Sequence, residues 1–157
     1  MMVPGTKLRA VEILLVEDNP VDVMMTREVF ANGRICNNLH VVEDGEEAMD
    51  FLYRREKYSS APQPDVILLD LNLPRKDGRE VLTEIKADPS LRHIPIIILT
   101  TSESEEDIFR SYELQANCFI TKPVDMEQFT RTLECIGDFW FAVVQLPRIE
   151  EGGYGNP

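Results

Sequence analysis

Residues 66–70 have the sequence Val-Ile-Leu-Leu-Asp, and this short stretch decides the fold. Four consecutive apolar residues have the length expected of a strand that is buried on both faces, as strands of a parallel sheet are. Asp70 follows at once, at the carboxyl end of that strand. In an open α/β sheet this end of the strands forms the crevice where ligands bind. The stretch therefore predicts a parallel sheet with a functional acid at its edge.

Three other apolar runs end in the same way, each followed directly by polar or charged side chains. These groups are Glu17-Asp18 after residues 13–16, Thr100 after residues 96–99 and Lys122 after residues 119–121. Because the carboxyl ends of parallel strands share one edge, we expect these groups to gather around Asp70. Three acids, a hydroxyl and an ammonium together suit a divalent cation and a phosphoryl group.

Apolar runs alternate with helix-like stretches along the chain. The predicted strands are residues 11–16, 39–42, 66–69, 94–99 and 118–120. Helices are predicted from Pro20 to near Gly33 and at residues 46–55, 78–87, 105–115 and 125–146. This alternation is typical of an α/β protein with a doubly wound five-stranded parallel sheet, here with an extended C-terminal helix. We expect one domain at residues 8–147 and a flexible tail at 148–157.

The apolar faces of two helices indicate what they pack against. In the first helix one face is predicted to consist of Val21, Met24, Met25, Val29 and Phe30. In the last helix, a stripe at helical spacing is predicted to face the core: Phe129, Leu133, Ile136, Trp140 and Val143. Its final turns are apolar all round, which predicts a homodimer interface made by Phe139, Trp140, Phe141, Val144 and Leu146. The alternative is that this segment folds back on its own domain.

Composition excludes several classes of function. The formal net charge of -12 repels nucleic acid, and no basic stripe offsets it. No apolar run approaches the length of a membrane span, so we expect no contact with a membrane. The three cysteines Cys36, Cys118 and Cys135 are odd in number and lack C-x-x-C spacing, which favours a cytoplasmic protein with reduced thiols.

The carboxylates indicate which cation would bind. Glu17, Asp18 and Asp70 would place like charges close together, an unfavourable arrangement unless a cation intervenes. Mg²⁺ prefers oxygen ligands and keeps several waters, so it suits these groups. Calcium is disfavoured by the lack of a D-x-D-x-D-G loop, and zinc by the separation of His40 from His93. The predicted cofactor is therefore Mg²⁺.

Asp70 is the strongest candidate nucleophile, since Leu71 rather than a second acid stands beside it. A carboxylate that attacks phosphorus gives an aspartyl phosphate, a recognised form of covalent catalysis. Lys122 and the cation would stabilise the phosphoryl oxygens, and Thr100 could donate a hydrogen bond to one of them.

In this order, the motifs resemble the receiver domain of bacterial two-component response regulators over nearly all of residues 11–146. The family's marks are an acidic pair after the first strand, the acceptor aspartate after the third, Thr or Ser after the fourth and Lys-Pro after the fifth. Pro74 and Gly78, four and eight residues after Asp70, strengthen the match. The resemblance implies a flavodoxin-like receiver fold.

The resemblance also implies roles for the acids. Asp70 would be the phosphoacceptor and, together with Asp18, a direct ligand of Mg²⁺. Glu17 would bind the ion through water, and Asn72 would offer its main-chain carbonyl. The alternative for Asp18, which precedes Asn19-Pro20, is the purely structural role of capping the first helix.

For the remaining positions the resemblance implies a switch. Thr100 and Lys122 would hold the phosphoryl oxygens. Phe119, where many relatives have tyrosine, would change rotamer as Thr100 is drawn inward. The alternative for Phe119 is a static core residue.

A further resemblance concerns the subgroup. Residues 138–141 (Asp-Phe-Trp-Phe) and 145–147 (Gln-Leu-Pro), together with residues 71–82, are similar to small response regulators paired with cyanobacterial and bacterial phytochromes. This implies a light-regulated histidine kinase as phosphodonor and a homodimer built on the C-terminal region.

The leading interpretation is a single-domain response regulator that accepts phosphate from a histidine kinase on Asp70 and contacts a downstream protein that the sequence does not identify. It would not be an enzyme, although it would promote its own Mg²⁺-dependent phosphorylation and dephosphorylation. A phosphate-independent adaptor with the same fold is one alternative. A magnesium-dependent phosphohydrolase is another, but such enzymes need a second acid two residues after the nucleophile, where this chain has Asn72.

Overall fold

The computed structural model describes residues 10–33, 36–101 and 118–136, in which helices flank one parallel sheet. The strands are β1 (Val11–Val16), β2 (Asn37–Val42), β3 (Val66–Asp70), β4 (Ile96–Thr100) and β5 (Cys118–Thr121). The helices are α1 (Pro20–Asn32), α2 (Gly45–Tyr53), α3 (Gly78–Ala87) and α4 (Met126–Ile136), and a short 3₁₀ helix spans Glu56–Tyr58. Most boundaries lie within two residues of those predicted from the sequence. The predicted helix at 105–115 lies outside the described residues.

The strand order is β2-β1-β3-β4-β5, and all pairs are parallel. This confirms the predicted doubly wound fold. Pairs at the carboxyl end of the sheet are Val16 with Leu69, Asp70 with Leu99 and Thr100 with Thr121. The register therefore brings Glu17, Asp70 and Thr100 level with one another to within about a residue, because each strand advances by the same rise.

Side chains of the sheet alternate between two buried apolar layers. One layer is covered by α2 and α3 and contains Leu14, Val16, Ile67, Leu69, Met49, Phe51, Val81, Leu82 and Ile85. The other is covered by α1 and α4 and contains Ile13, Leu15, Leu68, Phe30, Phe129 and Leu133. Because both faces of the central strands are buried, β3 and β4 are apolar until their last residues, and β1 is apolar except for Glu12.

The apolar face predicted for α1 is wrong in its first turns. Val21, Met24 and Met25 are 55%, 62% and 39% exposed, whereas Thr26 and Phe30 are buried. Thr26 and Phe30 lie four residues apart and so share one face of the helix. That face packs on the sheet, because Phe30 belongs to the same buried apolar layer as the strand residues. In this layer the Phe30 ring packs edge-on against Phe129 of α4, with ring centroids 4.7 Å apart.

Two predictions about the C-terminal region fall outside the described residues. The helix continues from Met126 to Ile136, where Phe129 and Leu133 are buried as predicted. The predicted interface residues lie beyond it: Phe139, Trp140, Phe141, Val144 and Leu146. The proposed tail at 148–157 also lies beyond the described part. Among the helices of the described ranges, none combines the length and apolar character that a membrane span requires.

Candidate active site

Three carboxylates meet at the carboxyl edge of the sheet. Ligand oxygens of Glu17, Asp18 and Asp70 all lie within 4.8 Å of one another. Glu17 and Asp70 are buried at the ends of β1 and β3, while Asp18 is exposed. Oxygen donors of this kind, gathered with like charge and with one member open to solvent, fit a hard divalent cation. The residues that the sequence predicted as metal-binding acids are therefore brought together.

Lys122 lies among these acids. Its Nζ is 2.8 Å from Glu17 Oε1 and 2.9 Å from Asp70 Oδ2. Its backbone N–H donates to the Thr100 carbonyl at 2.7 Å, which fixes the residue just after β5. The following peptide bond, to Pro123, is cis. An ammonium is thus held within hydrogen-bond distance of the predicted phosphoacceptor.

The electrostatics of Glu17 and Lys122 follow from this packing. Burial, together with the charge of Asp70, raises the pKa of Glu17 to about 7, although the hydrogen bond and the charge of Lys122 act to lower it. Burial works to lower the pKa of Lys122, but hydrogen bonds to Glu17 and Asp70 outweigh it and raise that pKa above its ordinary value. Lys122 is therefore a permanent cation at neutral pH.

Asp22 is a further acid at the site, and the sequence reasoning missed it. Its Oδ2 lies 3.2 Å from Lys122 Nζ. Asp22 lies in the first turn of α1, where acidic residues are common because the helix dipole stabilises them. An acid at this position therefore does not by itself indicate a functional site. The spacing of Asp22, two helical turns before Phe30, was the available signal, because that spacing places it on the same face of α1 as a residue predicted to pack inward.

Asn19, rather than Asp18, caps α1. Asn19 Oδ1 accepts hydrogen bonds from the backbone N–H groups of Val21 at 2.9 Å and Asp22 at 3.1 Å. The Asn19 N–H in turn donates to Glu17 Oε2 at 3.2 Å. Asp18 does not serve as the helix cap, and its carboxylate belongs to the acidic cluster instead.

The chain after Asp70 is held close against α3. The backbone N–H of Asn72 donates to Asp70 Oδ1 at 2.9 Å, so the Asn72 peptide lies beside the acceptor carboxylate. A Cβ added at Gly78 would lie 2.5 Å from the Asp70 carbonyl oxygen and from Leu71 Cα. The glycine eight residues after the acceptor is therefore required by a close backbone approach.

Thr100 and Phe119 lie at the same end of the sheet. Thr100 is fully buried, and its hydroxyl donates to the Ile120 carbonyl at 3.5 Å, across the β4–β5 pair. Phe119 is half-buried and packs against the apolar layer under α2 and α3. The predicted rotamer switch at these two residues stays a prediction.

Comparisons with known proteins place this arrangement in a family. Residues 13–134 match the model of the response regulator receiver domain. The chain belongs to this family. The match lies inside the domain predicted at residues 8–147, whose outer limits stay predictions. Glu17, Asp18, Asp70 and Lys122, on which the resemblance rests, lie together at one edge of the sheet.

Several similar proteins are response regulators, and two of those described below, RcpA and AtBRR, are named for phytochromes. Response regulator Rcp1 of Synechocystis sp. is 46% identical over 135 residues, covering 86% of this chain and 92% of the relative. The crystal structure of its Mn²⁺-bound form has a TM-score of 0.66 at 45% identity, covering 88% of this chain and 99% of that one. The phosphorylated cyanobacterial phytochrome response regulator RcpA is 46% identical, with a TM-score of 0.68 and coverage of 89% and 100%.

The bacteriophytochrome response regulator AtBRR is a further solved neighbour. It has a TM-score of 0.80 at 40% identity and covers 90% of this chain and 99% of its own. The receiver domain described here is therefore a homologue of phytochrome response regulators.

Proposed function

We propose that this receiver domain accepts a phosphoryl group on Asp70 from the phosphohistidine of a sensor histidine kinase. The observation that carries the proposal is the environment of Asp70. One carboxylate oxygen faces the Lys122 ammonium at 2.9 Å, and the other accepts the Asn72 N–H at 2.9 Å, at the edge of an acidic cluster. A nucleophile that is oriented in this way is suited to phosphoryl transfer, where positioning and charge stabilisation dominate.

In the transfer step, an Asp70 oxygen forms a bond to phosphorus as the P–N bond to the donor imidazole breaks. The imidazole nitrogen keeps the electron pair and takes a proton from water. Lys122 stays protonated and donates to the phosphoryl oxygens, whose charge it neutralises. Attack of water on the same phosphorus would return Asp70 and inorganic phosphate, so the domain would promote its own dephosphorylation without being an enzyme that acts on a separate substrate.

Mg²⁺ is the proposed physiological cation. Glu17, Asp18, Asp70 and the main-chain carbonyl of Asn72 would hold it, and all of these offer oxygen. When bound, the ion supplies Lewis-acid stabilisation of charge on the phosphoryl group. Rcp1, a similar protein, has been crystallised with Mn²⁺. Mn²⁺ is an oxygen-preferring ion like Mg²⁺, and this supports the choice.

The signal would leave the site through Thr100 and Phe119. Thr100 donates to Ile120 within the sheet. It would exchange this long hydrogen bond for one to a phosphoryl oxygen, and Phe119 would move into the space that the shift opens. A switch of this kind biases two pre-existing conformations and so rests on packing, because phenylalanine offers no hydroxyl.

The proposed phosphodonor is a phytochrome-type histidine kinase, in line with the names of RcpA, a phytochrome response regulator, and AtBRR, a bacteriophytochrome response regulator. The domain is also proposed to form a homodimer through the C-terminal helix. Its proposed output is contact with a downstream protein. Neither Cys36 nor Cys118 forms a disulfide in the described part of the chain, which is in line with the proposed cytoplasmic location.

Intact mass after incubation with Mg²⁺ and acetyl phosphate tests the central proposal. We expect a phosphoryl-sized gain in the native protein that is lost in Asp70→Asn and lost without the metal. Asp50→Asn, which makes the same chemical change on α2, is the matched control and keeps the gain. Absence of any gain with acetyl phosphate, beryllofluoride and a phosphorylated kinase alike would favour the phosphate-independent adaptor.

A further inference from the structure

Asp22 is the acid at the site for which the proposed chemistry has no use. Its Oδ2 lies 3.2 Å from Lys122 Nζ, beside Glu17 Oε1 at 2.8 Å and Asp70 Oδ2 at 2.9 Å. Glu17 and Asp70 belong to the group of acids close enough to share a cation, and Asp22 is not part of that group. Among the carboxylates of the described residues that contact Lys122, Asp22 alone binds the ammonium without facing the cation site.

The fold holds Asp22 in this place. The Asn19 side chain caps the first turn of α1 and accepts the Asp22 N–H at 3.1 Å. One turn later Thr26 is buried, with its hydroxyl bonded to the Asp22 carbonyl at 2.8 Å. Two turns later Phe30 packs against Phe129 of α4. The side chain of Asp22 is 30% exposed and that of Lys122 is 13% exposed, so their contact is partly shielded from water.

We propose that Asp22 is a positioning residue that keeps the Lys122 ammonium at the mouth of the site during phosphoryl transfer. This inference rests on the proposed function and deepens it. A lysine ammonium has three N–H donors on a flexible stem, and here three carboxylates from β1, α1 and β3 surround it. A cation bound to Glu17 would weaken the hydrogen bond of Glu17 with Lys122. A phosphoryl group bonded to Asp70 would likewise weaken the hydrogen bond of Asp70 with Lys122. Asp22 is engaged by neither group and would continue to hold the nitrogen.

The structural alternative is that Asp22 serves α1 alone, as an acid in the first turn of a helix. In that case the loss of Asp22 would lower the stability of the protein but would leave the position and hydrogen bonding of the Lys122 ammonium unchanged. A measurement on the ammonium itself therefore separates the two roles, whereas a measurement of stability does not.

The first readout is the ¹H–¹⁵N signal of the Lys122 side chain, assigned by its loss in Lys122→Ala. We expect a slowly exchanging ammonium signal in the native protein without any phosphodonor. In Asp22→Ala the signal is lost to fast exchange with water. Asp22→Asn, whose amide oxygen still accepts a hydrogen bond, gives intermediate exchange and also serves if the alanine variant folds poorly. Glu28→Gln removes the same charge from an exposed position of α1 and leaves the signal unchanged.

The second readout is the rate of phosphorylation with Mg²⁺ and a small phosphodonor. We expect Asp22→Ala to slow it about fivefold, the size of coupling typical within one charge network. Asp22→Asn would recover part of the rate, and Glu28→Gln would match the native protein. An ammonium signal that is the same in Asp22→Ala, or that exchanges fast already in the native protein, overturns the inference.

The two proposals fail in different ways. If no donor phosphorylates the native protein, the receiver chemistry fails, while the dependence of the ammonium signal on Asp22 can still hold. If the native protein is phosphorylated and Asp22→Ala changes neither readout, the positioning role fails and the receiver chemistry stands.

Discussion

At the residue scale, the site is a balance of charge around one ammonium. Within the described residues, Glu17, Asp22 and Asp70 surround the Lys122 ammonium at the edge of the sheet, and Asp18 lies close to Glu17 and Asp70. Negative groups in excess at a partly buried place attract a cation. The Lys122 ammonium already contacts carboxylate oxygens of Glu17 and Asp70, so the lysine and a metal ion compete for these oxygens.

This competition makes a prediction about Lys122→Ala. Without the ammonium, the carboxylates of Glu17 and Asp70 no longer pair with Lys122 and can coordinate a metal ion. We therefore expect Mn²⁺ to bind about tenfold more tightly. Phosphorylation of Asp70 should slow at the same time, because no fixed cation remains to meet the phosphoryl oxygens. Isothermal titration calorimetry checks the affinity, and intact mass checks the rate.

Lys57→Ala is the matched control for that variant. Lys57 is exposed and pairs with Glu47, away from the site, so its loss changes the net charge equally but leaves metal affinity unchanged. Metal binding to Lys122→Ala that is no tighter than to the native protein would contradict the competition.

At the scale of secondary-structure elements, α1 has two faces with different tasks. Asp22, Thr26 and Phe30 lie four residues apart on the face that meets Lys122 and the sheet. Val21 and Met24 point away from this face and are more than half exposed. Exposed apolar side chains beside a reactive site fit the docking of a partner that must reach that site, and the proposed sensor kinase is such a partner.

Substitution Met24→Glu tests this face of α1. We expect phosphotransfer from the kinase to slow about tenfold or more, because a charge replaces an apolar contact at the interface. Phosphorylation by acetyl phosphate, which needs no docking, should stay the same. Thr83→Glu on the exposed side of α3 is the control and should leave both rates unchanged. Equal loss with both donors in Met24→Glu would show damage to the site rather than to docking.

At the scale of the whole molecule, the open matter is the proposed homodimer through the C-terminal region. Phe129 and Leu133 fill the layer under α4, which accounts for the first part of the apolar stripe. If the predicted helix continues to residue 146, the apolar residues that follow in the sequence exceed what one of its faces can bury against its own domain. A second copy of the chain is the simplest surface to cover them.

Sedimentation of the unphosphorylated protein at tens of micromolar checks the dimer. We expect a dimer without phosphate, since apolar burial needs no phosphoryl group. Phe141→Glu should shift the protein to monomer, while Glu134→Gln, at an exposed position of α4, should not. A monomer in the native protein at that concentration would favour the alternative in which the segment folds back on its own domain.

The sequence by itself determined the sheet and most of the site. Apolar runs of strand length, each closed by a polar residue, predict both the strands and the edge at which Asp70, Thr100 and Lys122 meet. The reason is geometric: parallel strands carry their carboxyl ends to one edge, so the order of motifs along the chain fixes what lies there.

Tertiary structure decided what periodicity cannot express. A helical pattern shows which residues share a face, but the packing of Phe30 on Phe129 decided that α1 turns Asp22 toward Lys122 and leaves Met24 in solvent. The pKa of Glu17 near 7 likewise depends on how deeply the carboxylate is buried and on its distance from Asp70. Burial and distance between residues remote in sequence arise only when the elements pack together, because desolvation and Coulomb energies depend on position in space.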